Sequence, residues 1–165
     1  METDGGWPVQ LNVNGVAQRA VAPLTGTLLS TLREDLCLTA AKRGCNQGVC
    51  GACTVLIDGR TARACLTLSQ NAEDRAIQTL EGLRGDPVMQ ALQAAFASGG
   101  AFQCGFCTPG MLISAYALLK HNPRPTEADV RGHLSGNLCR CTGYVSIIAA
   151  VDAAAQALSG QEKFA

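Results

Sequence analysis

The sequence predicts an α+β chain in which short strands in the first half precede helices in the second half. Apolar residues alternate with polar ones near the N-terminus, whereas after a glycine-rich stretch they recur at three- and four-residue spacing. The length of 165 residues suits one large domain or two small ones, each with a thin core. We therefore predict a first domain over residues 1–80, a linker over 81–86 and a helical domain over 87–165.

The first half begins with a predicted β-hairpin. Apolar and polar residues alternate over 9–13, which is the pattern of a half-buried strand. Asn14-Gly15 is a favoured hairpin turn, so residues 16–22 are expected to form the return strand. A short helix should follow, because several leucines share one helical face and Thr27 can cap the first turn. These leucines are Leu28, Leu29, Leu32 and Leu36.

A second hairpin is predicted after a loop rich in glycine and cysteine. Residues 54–57 are apolar or β-branched and lead into Asp58-Gly59, which is another hairpin signal. Residues 60–64 would form the return strand, and residues 76–79 are expected to add a last short strand.

Four helices are predicted in the second half, because their apolar residues follow helical spacing. Residues 99–100 are both glycine and should end the first of these helices, and Pro109 suits the first turn of the second. Thr126 and Asp129 resemble a capping box that begins the third. An apolar stripe from Tyr144 onward predicts the fourth. The result would be a small bundle with cysteines at the ends of helices.

Charge and hydropathy restrict the possible function classes. The 13 basic and 13 acidic residues give zero net charge, so we expect no nucleic-acid binding. No apolar run approaches the roughly 18 residues that cross a bilayer, so we expect no direct membrane insertion. The first residues lack the features of a secretory signal, which makes the cytoplasm the expected location. In a reducing compartment, nine cysteines indicate metal or catalytic sites rather than disulfides.

The first cysteine group has the spacing of a plant-type ferredoxin. Three cysteines follow one another with four and then two intervening residues, and a fourth lies further along the chain. They are Cys45, Cys50, Cys53 and Cys65. This spacing is typical of a [2Fe–2S] site, and the interleaved glycines let backbone N–H groups point at sulfur. A four-cysteine zinc site fits poorly, because zinc loops more often contain two short CxxC motifs.

The second cysteine group is less diagnostic. It consists of Cys104, Cys107, Cys139 and Cys141. Spacing alone leaves an iron–sulfur site, a zinc site and a redox-active dithiol open. The presence of the first group favours the iron–sulfur interpretation, and two such sites would suit a protein that transfers electrons.

Three motifs in this order resemble those of the xanthine oxidase, or molybdenum hydroxylase, family. They are CNQGVCGACTV at residues 45–55, QCGFCTPG at 103–110 and GNLCRCTGY at 136–144. The resemblance extends from about residue 9 to residue 158, nearly the whole chain. It implies an iron–sulfur small subunit of a multi-subunit enzyme, in which a β-grasp plant-type ferredoxin domain precedes a four-helix domain that binds the second cluster.

The resemblance also implies a direction of electron flow and a set of partners. In the family, molybdopterin on a large subunit serves the hydroxylation, and FAD usually lies on a medium subunit. Electrons would pass from molybdopterin through the helical-domain cluster and then through the ferredoxin-type cluster toward FAD. Gln103 corresponds to a glutamine that hydrogen-bonds the pterin, and Cys141 to the ligand cysteine that lies against it. The alternative is a free-standing ferredoxin-like carrier.

Other polar residues receive simpler predictions. Cys37 lies outside both groups and is expected to be a buried packing thiol at the end of the leucine-striped helix. The two histidines, His121 and His133, are expected to be solvated or at helix ends. Thr108 is expected either to cap a helix or to donate to sulfur. No motif for catalysis at carbon is present, so we expect no catalytic residue in this chain.

Overall fold

The computed structural model describes residues 6–161, and this part of the chain contains a five-stranded sheet. The strands are β1 (Trp7–Val13), β2 (Val16–Ala22), β3 (Thr54–Ile57), β4 (Arg60–Arg63) and β5 (Ala76–Gln78). Their order is β2-β1-β5-β3-β4, in which β1 and β5 run parallel and the other neighbours run antiparallel. The sheet followed by helices confirms the predicted α+β class.

Both predicted hairpins form. Val13 pairs with Val16 across the first turn, and Ile57 pairs with Arg60 across the second. The two central residues of each turn have positive φ, between 49° and 78°, as the favoured hairpin turn requires. They are Asn14, Gly15, Asp58 and Gly59.

The predicted short helix packs against the sheet. It consists of α1 (Leu28–Ser30) and a π-helical turn (Thr31–Asp35) that continues it. Thr27 caps the helix as predicted, because its hydroxyl accepts a 3.3 Å hydrogen bond from the Ser30 N–H. Three of its leucines are buried against side chains of β1, β3 and β5. These leucines are Leu28, Leu29 and Leu32.

The prediction of a buried Cys37 is wrong. The π-helical turn ends at Leu36, and Cys37 then adopts a left-handed backbone conformation with φ of 55°. The Cys37 thiol is exposed, whereas the next side chain, Leu38, packs against the core.

The described part of the second half forms the four predicted helices. They are α2 (Pro87–Ser98), α3 (Thr108–His121), α4 (Glu127–Leu134) and α5 (Val145–Gln161). The Asp86 carboxylate caps α2 by accepting a 2.8 Å hydrogen bond from the Val88 N–H. The capping box of α4 is present in both directions between Thr126 and Asp129. Tyr144 has φ of 71°, so α5 begins one residue after the start of the apolar stripe.

The sheet and the helices meet at β3. Every residue of β3 is buried, because the strand is covered on both faces. Val55 and Ile57 pack in the cluster around α1, whereas Leu56 belongs to the apolar cluster of the helices. α3 contacts both β3 and β4. The domain boundaries at residues 81–86 stay a prediction, although a 3-10 turn (Leu80–Leu83) occupies part of that segment.

Candidate iron–sulfur sites

The structure brings the four cysteines of the first group together as two pairs. Three of them lie in the loop that precedes β3, and Cys65 follows β4. The Cys50 thiol lies close enough to Cys45 to affect its pKa, and the Cys65 thiol does the same for Cys53. Cys50 and Cys53 are also close enough to interact by charge.

Backbone N–H groups of the glycine-rich loop point at sulfur, as the sequence predicted. The Cys50 N–H donates to Cys45 Sγ over 3.4 Å, and the Gln47 N–H donates to the same atom over 3.3 Å. These two donors, with Cys50 the larger contributor, lower the pKa of Cys45 to about 6. The loop thus stabilises a thiolate, which is the form that binds a metal.

Burial acts in the opposite direction on Cys53. Its side chain is only 2% exposed, and this desolvation raises the pKa of the Cys53 thiol to about 11. A thiol in this environment stays protonated unless a positive charge is bound beside it, and a coordinated metal ion ionises a thiol outright.

The second group also forms two pairs, at one end of the helical half. Cys104 and Cys107 precede α3, whereas Cys139 and Cys141 lie between α4 and α5. The Sγ atoms of Cys104 and Cys141 are 3.6 Å apart. The Cys107 thiol interacts with Cys139, although burial is the larger reason that the pKa of Cys107 rises to about 12.

Thr142 is a sulfur donor that the sequence prediction missed. Its hydroxyl lies 3.2 Å and its N–H 3.5 Å from Cys139 Sγ. Burial opposes ionisation of Cys139, but these donors, together with the Cys141 N–H and the Cys107 thiol, outweigh it and lower the pKa of Cys139 to about 7. Thr108, which was predicted as a cap or donor, has a buried Oγ1 without a partner among the described residues. An orphaned hydroxyl beside Cys107 fits a site whose natural acceptor belongs to a bound group.

The arrangement of the thiols matches the ligand set of a binuclear centre. Within residues 6–161, no three His, Cys, Asp or Glu side chains are grouped so that they could hold one metal ion. A zinc ion needs four ligands around one point, whereas each iron of a [2Fe–2S] cluster takes two protein ligands. Two pairs of thiols in each group supply the two protein ligands that each iron of a [2Fe–2S] cluster takes.

Gln103 lies directly beside the second group. Its Nε2 donates a 3.0 Å hydrogen bond to the Cys141 carbonyl oxygen, and both residues are exposed. The two residues that the sequence analysis assigned to the pterin side therefore occupy one surface.

His121 and His133 are exposed and near each other, at the end of α3 opposite Cys107.

Comparisons with known proteins agree with this geometry. Residues 25–95 match the family described as "2Fe-2S iron-sulfur cluster binding domain", and residues 79–152 match "[2Fe-2S] binding domain". The chain is 48% identical to the nicotinate dehydrogenase small FeS subunit of Eubacterium barkeri, over 87% of this chain and 91% of the relative. It is 49% identical to the nicotine 6-hydroxylase small subunit of Paenarthrobacter nicotinovorans, with 87% and 86% covered.

A solved structure extends the agreement to the fold. Quinoline 2-oxidoreductase from Pseudomonas putida 86 matches with a TM-score of 0.88 and 45% identity, over 96% of this chain and 99% of the matched chain. This chain belongs to the iron–sulfur small subunits of the xanthine oxidase family. It is an electron-transfer subunit of an oxidoreductase with two [2Fe–2S]-binding domains, which confirms the predicted family and function. The relatives are named as subunits, so nothing supports the alternative of a free-standing carrier.

Within the described range 6–161, none of the helices combines the length and apolar character that crossing a membrane requires.

Proposed function

We propose that the chain binds two [2Fe–2S] clusters through its eight grouped cysteines and links a molybdopterin-containing large subunit to an FAD-containing medium subunit. The ligands of the first cluster would be Cys45, Cys50, Cys53 and Cys65, and those of the second Cys104, Cys107, Cys139 and Cys141. The observation that carries the proposal is the pairing of thiols in both groups. When bound, each cluster accepts and releases one electron at a time.

The second site is assigned to the side of the large subunit. Gln103, Cys104 and Cys141 are all exposed there, so a partner could approach sulfur directly. Because the Gln103 Nε2 is engaged by the Cys141 carbonyl, its side-chain oxygen remains available as an acceptor for a pterin N–H.

The first site is assigned to the side of the medium subunit. Val49 and Leu66, which adjoin the ligands Cys50 and Cys65, are each 62% exposed. Exposed apolar side chains beside a redox site suit contact with another chain, because that contact removes them from water. The proposed location of the complex is the cytoplasm, where a reducing environment keeps the eight grouped cysteines available as metal ligands.

The test uses the intact complex and cysteine variants of this chain. Wild-type protein reduced with dithionite should give two distinguishable S = 1/2 signals by electron paramagnetic resonance. Cys107→Ala should remove one signal and Cys65→Ala the other, whereas the control Cys37→Ala, an exposed thiol outside both groups, should keep both. The proposal fails if Cys37→Ala loses a signal, or if the wild-type protein gives none. Copurification with two larger chains tests the partners.

A further inference from the structure

The loops of the two cysteine groups are joined by a direct main-chain hydrogen bond. The Leu138 N–H donates to the Cys50 carbonyl oxygen over 2.9 Å. Cys50 belongs to the first group, and Leu138 immediately precedes Cys139 of the second. One short path of covalent bonds and this hydrogen bond therefore connects a thiol of one site with a thiol of the other.

Asn137 adds a second hydrogen bond beside this one, and we call the two bonds together the clamp. The donors belong to the neighbouring residues Asn137 and Leu138, and the acceptors to the neighbouring residues Gly51 and Cys50. The Asn137 Nδ2 donates to the Gly51 carbonyl oxygen over 3.1 Å, next to the bond between Leu138 and Cys50. Two parallel bonds fix the separation and the orientation of the loops, which one bond alone would leave free to pivot.

The Asn137 side chain is held in place from every direction. It is 3% exposed, and its Oδ1 accepts a 2.8 Å hydrogen bond from the Ser114 hydroxyl of α3. Its Nδ2 also lies 3.3 Å from Thr54 Oγ1 at the start of β3. The main-chain carbonyl oxygen of Asn137 accepts a hydrogen bond from the Tyr144 hydroxyl over 3.1 Å. The Cys139 N–H donates to that same hydroxyl over 2.9 Å. A buried amide with every polar group satisfied is rigid.

The surrounding backbone segments approach one another closely at two glycines. A Cβ added at Gly51 would lie 2.4 Å from the Gly136 carbonyl oxygen, and one at Gly110 would lie 2.4 Å from the Gly51 carbonyl oxygen. Arg63 donates to Gly136 and to Thr54, each over 2.6 Å, and so braces both sides of the clamp.

We propose that Asn137 is the positioning residue for electron transfer between the two sites, because it holds the Cys50–Leu138 hydrogen bond in place. This inference rests on the proposed function. One electron leaves the reduced second site and reaches the oxidised first site, with no bond made or broken. The rate of such a step falls steeply as the separation grows and as hydrogen-bonded connections open, so a residue that fixes the loops controls it.

The experiment measures electron transfer between the sites in the intact complex. Asn137→Ala is compared with wild type and with Asn71→Ala, an identical change at an exposed position of the first half. The second site is reduced first, and the reaction is stopped by rapid freezing at a series of times. The frozen samples then show when the electron reaches the first site. Redox titration gives both potentials, and the magnetic interaction between the two reduced clusters reports their separation.

Asn137→Ala should slow the transfer by roughly tenfold and weaken the magnetic interaction, as expected when a fixed geometry loosens. Both potentials and both cluster contents should stay at wild-type values, as should every property of Asn71→Ala. Ser114→Ala removes only the donor to Oδ1 and should give an intermediate rate, which keeps the test decisive if Asn137→Ala does not fold.

Two outcomes would overturn the inference. One is an unchanged rate and magnetic interaction in the Asn137→Ala and Ser114→Ala proteins, and the other is slowing that the potentials fully explain. Failure of the proposed function is distinguishable, because wild-type protein would then lack two clusters or would not exchange electrons between them.

Discussion

Alanine at Gly51 should destabilise the protein much more than alanine at another glycine with the same backbone conformation. Gly51 has φ of 70°, which costs a residue with a Cβ about 1–2 kcal/mol. The new Cβ would also lie 2.4 Å from the Gly136 oxygen and 2.7 Å from Asn137 Nδ2, so these groups must move. Disruption of their hydrogen bonds adds about 1 kcal/mol for each bond lost. We expect a total loss of about 3–4 kcal/mol in the free energy of unfolding.

Gly59 supplies the matched control. Its φ is 76°, but a Cβ there would meet nothing within 4 Å. Gly59→Ala should therefore lose only the conformational contribution of about 1–2 kcal/mol. Thermal unfolding followed by circular dichroism should show the difference, since each kcal/mol lowers the melting temperature by about 2–4 °C in a chain of this size. Equal losses in Gly51→Ala and Gly59→Ala would refute the close packing of the two loops.

Two further predictions concern hydrogen bonds to sulfur and to a surface carboxylate. Thr142→Val should lower the reduction potential of the second site in a redox titration, because hydrogen bonds to Cys139 sulfur raise it, and Thr142→Ser should restore most of the change. Arg75 holds the pKa of the Asp58 carboxyl below its usual range through a direct hydrogen bond. Asp58 thus contributes stability above its unfolded pKa and loses it as the pH falls through its folded pKa. Nuclear magnetic resonance titration of Arg75→Ala should show the Asp58 pKa rising, and an unchanged value would contradict the assignment.

Local chemistry explains why much of the fold could be predicted. Asn14-Gly15 and Asp58-Gly59 adopt positive φ by intrinsic preference, so both hairpins are encoded by adjacent residues. The capping box of α4 joins residues three positions apart, and it is equally local. Spacing alone indicated the first cysteine group, whereas the second group needed the motifs around its cysteines.

The features that the sequence did not predict depend on contacts and backbone conformations that only the folded chain defines. The exposure of Cys37 follows from a left-handed turn after the π-helical segment, which no residue preference indicates at a cysteine. The clamp between Asn137 and Gly51 joins residues 86 positions apart. Thr142 stands in the third motif, but only the folded loop shows that its hydroxyl reaches Cys139 rather than solvent. Thr108 also directly follows a grouped cysteine in the sequence, but its hydroxyl lacks a partner among the described residues.

The content of iron, zinc and acid-labile sulfide in the purified complex tests the central claim most directly. Two binuclear clusters predict about four irons and about four sulfides for each copy of this chain, with no stoichiometric zinc. Zinc bound at the cysteine groups, without sulfide or visible absorbance, would contradict the account, because the paired thiols would then hold single ions.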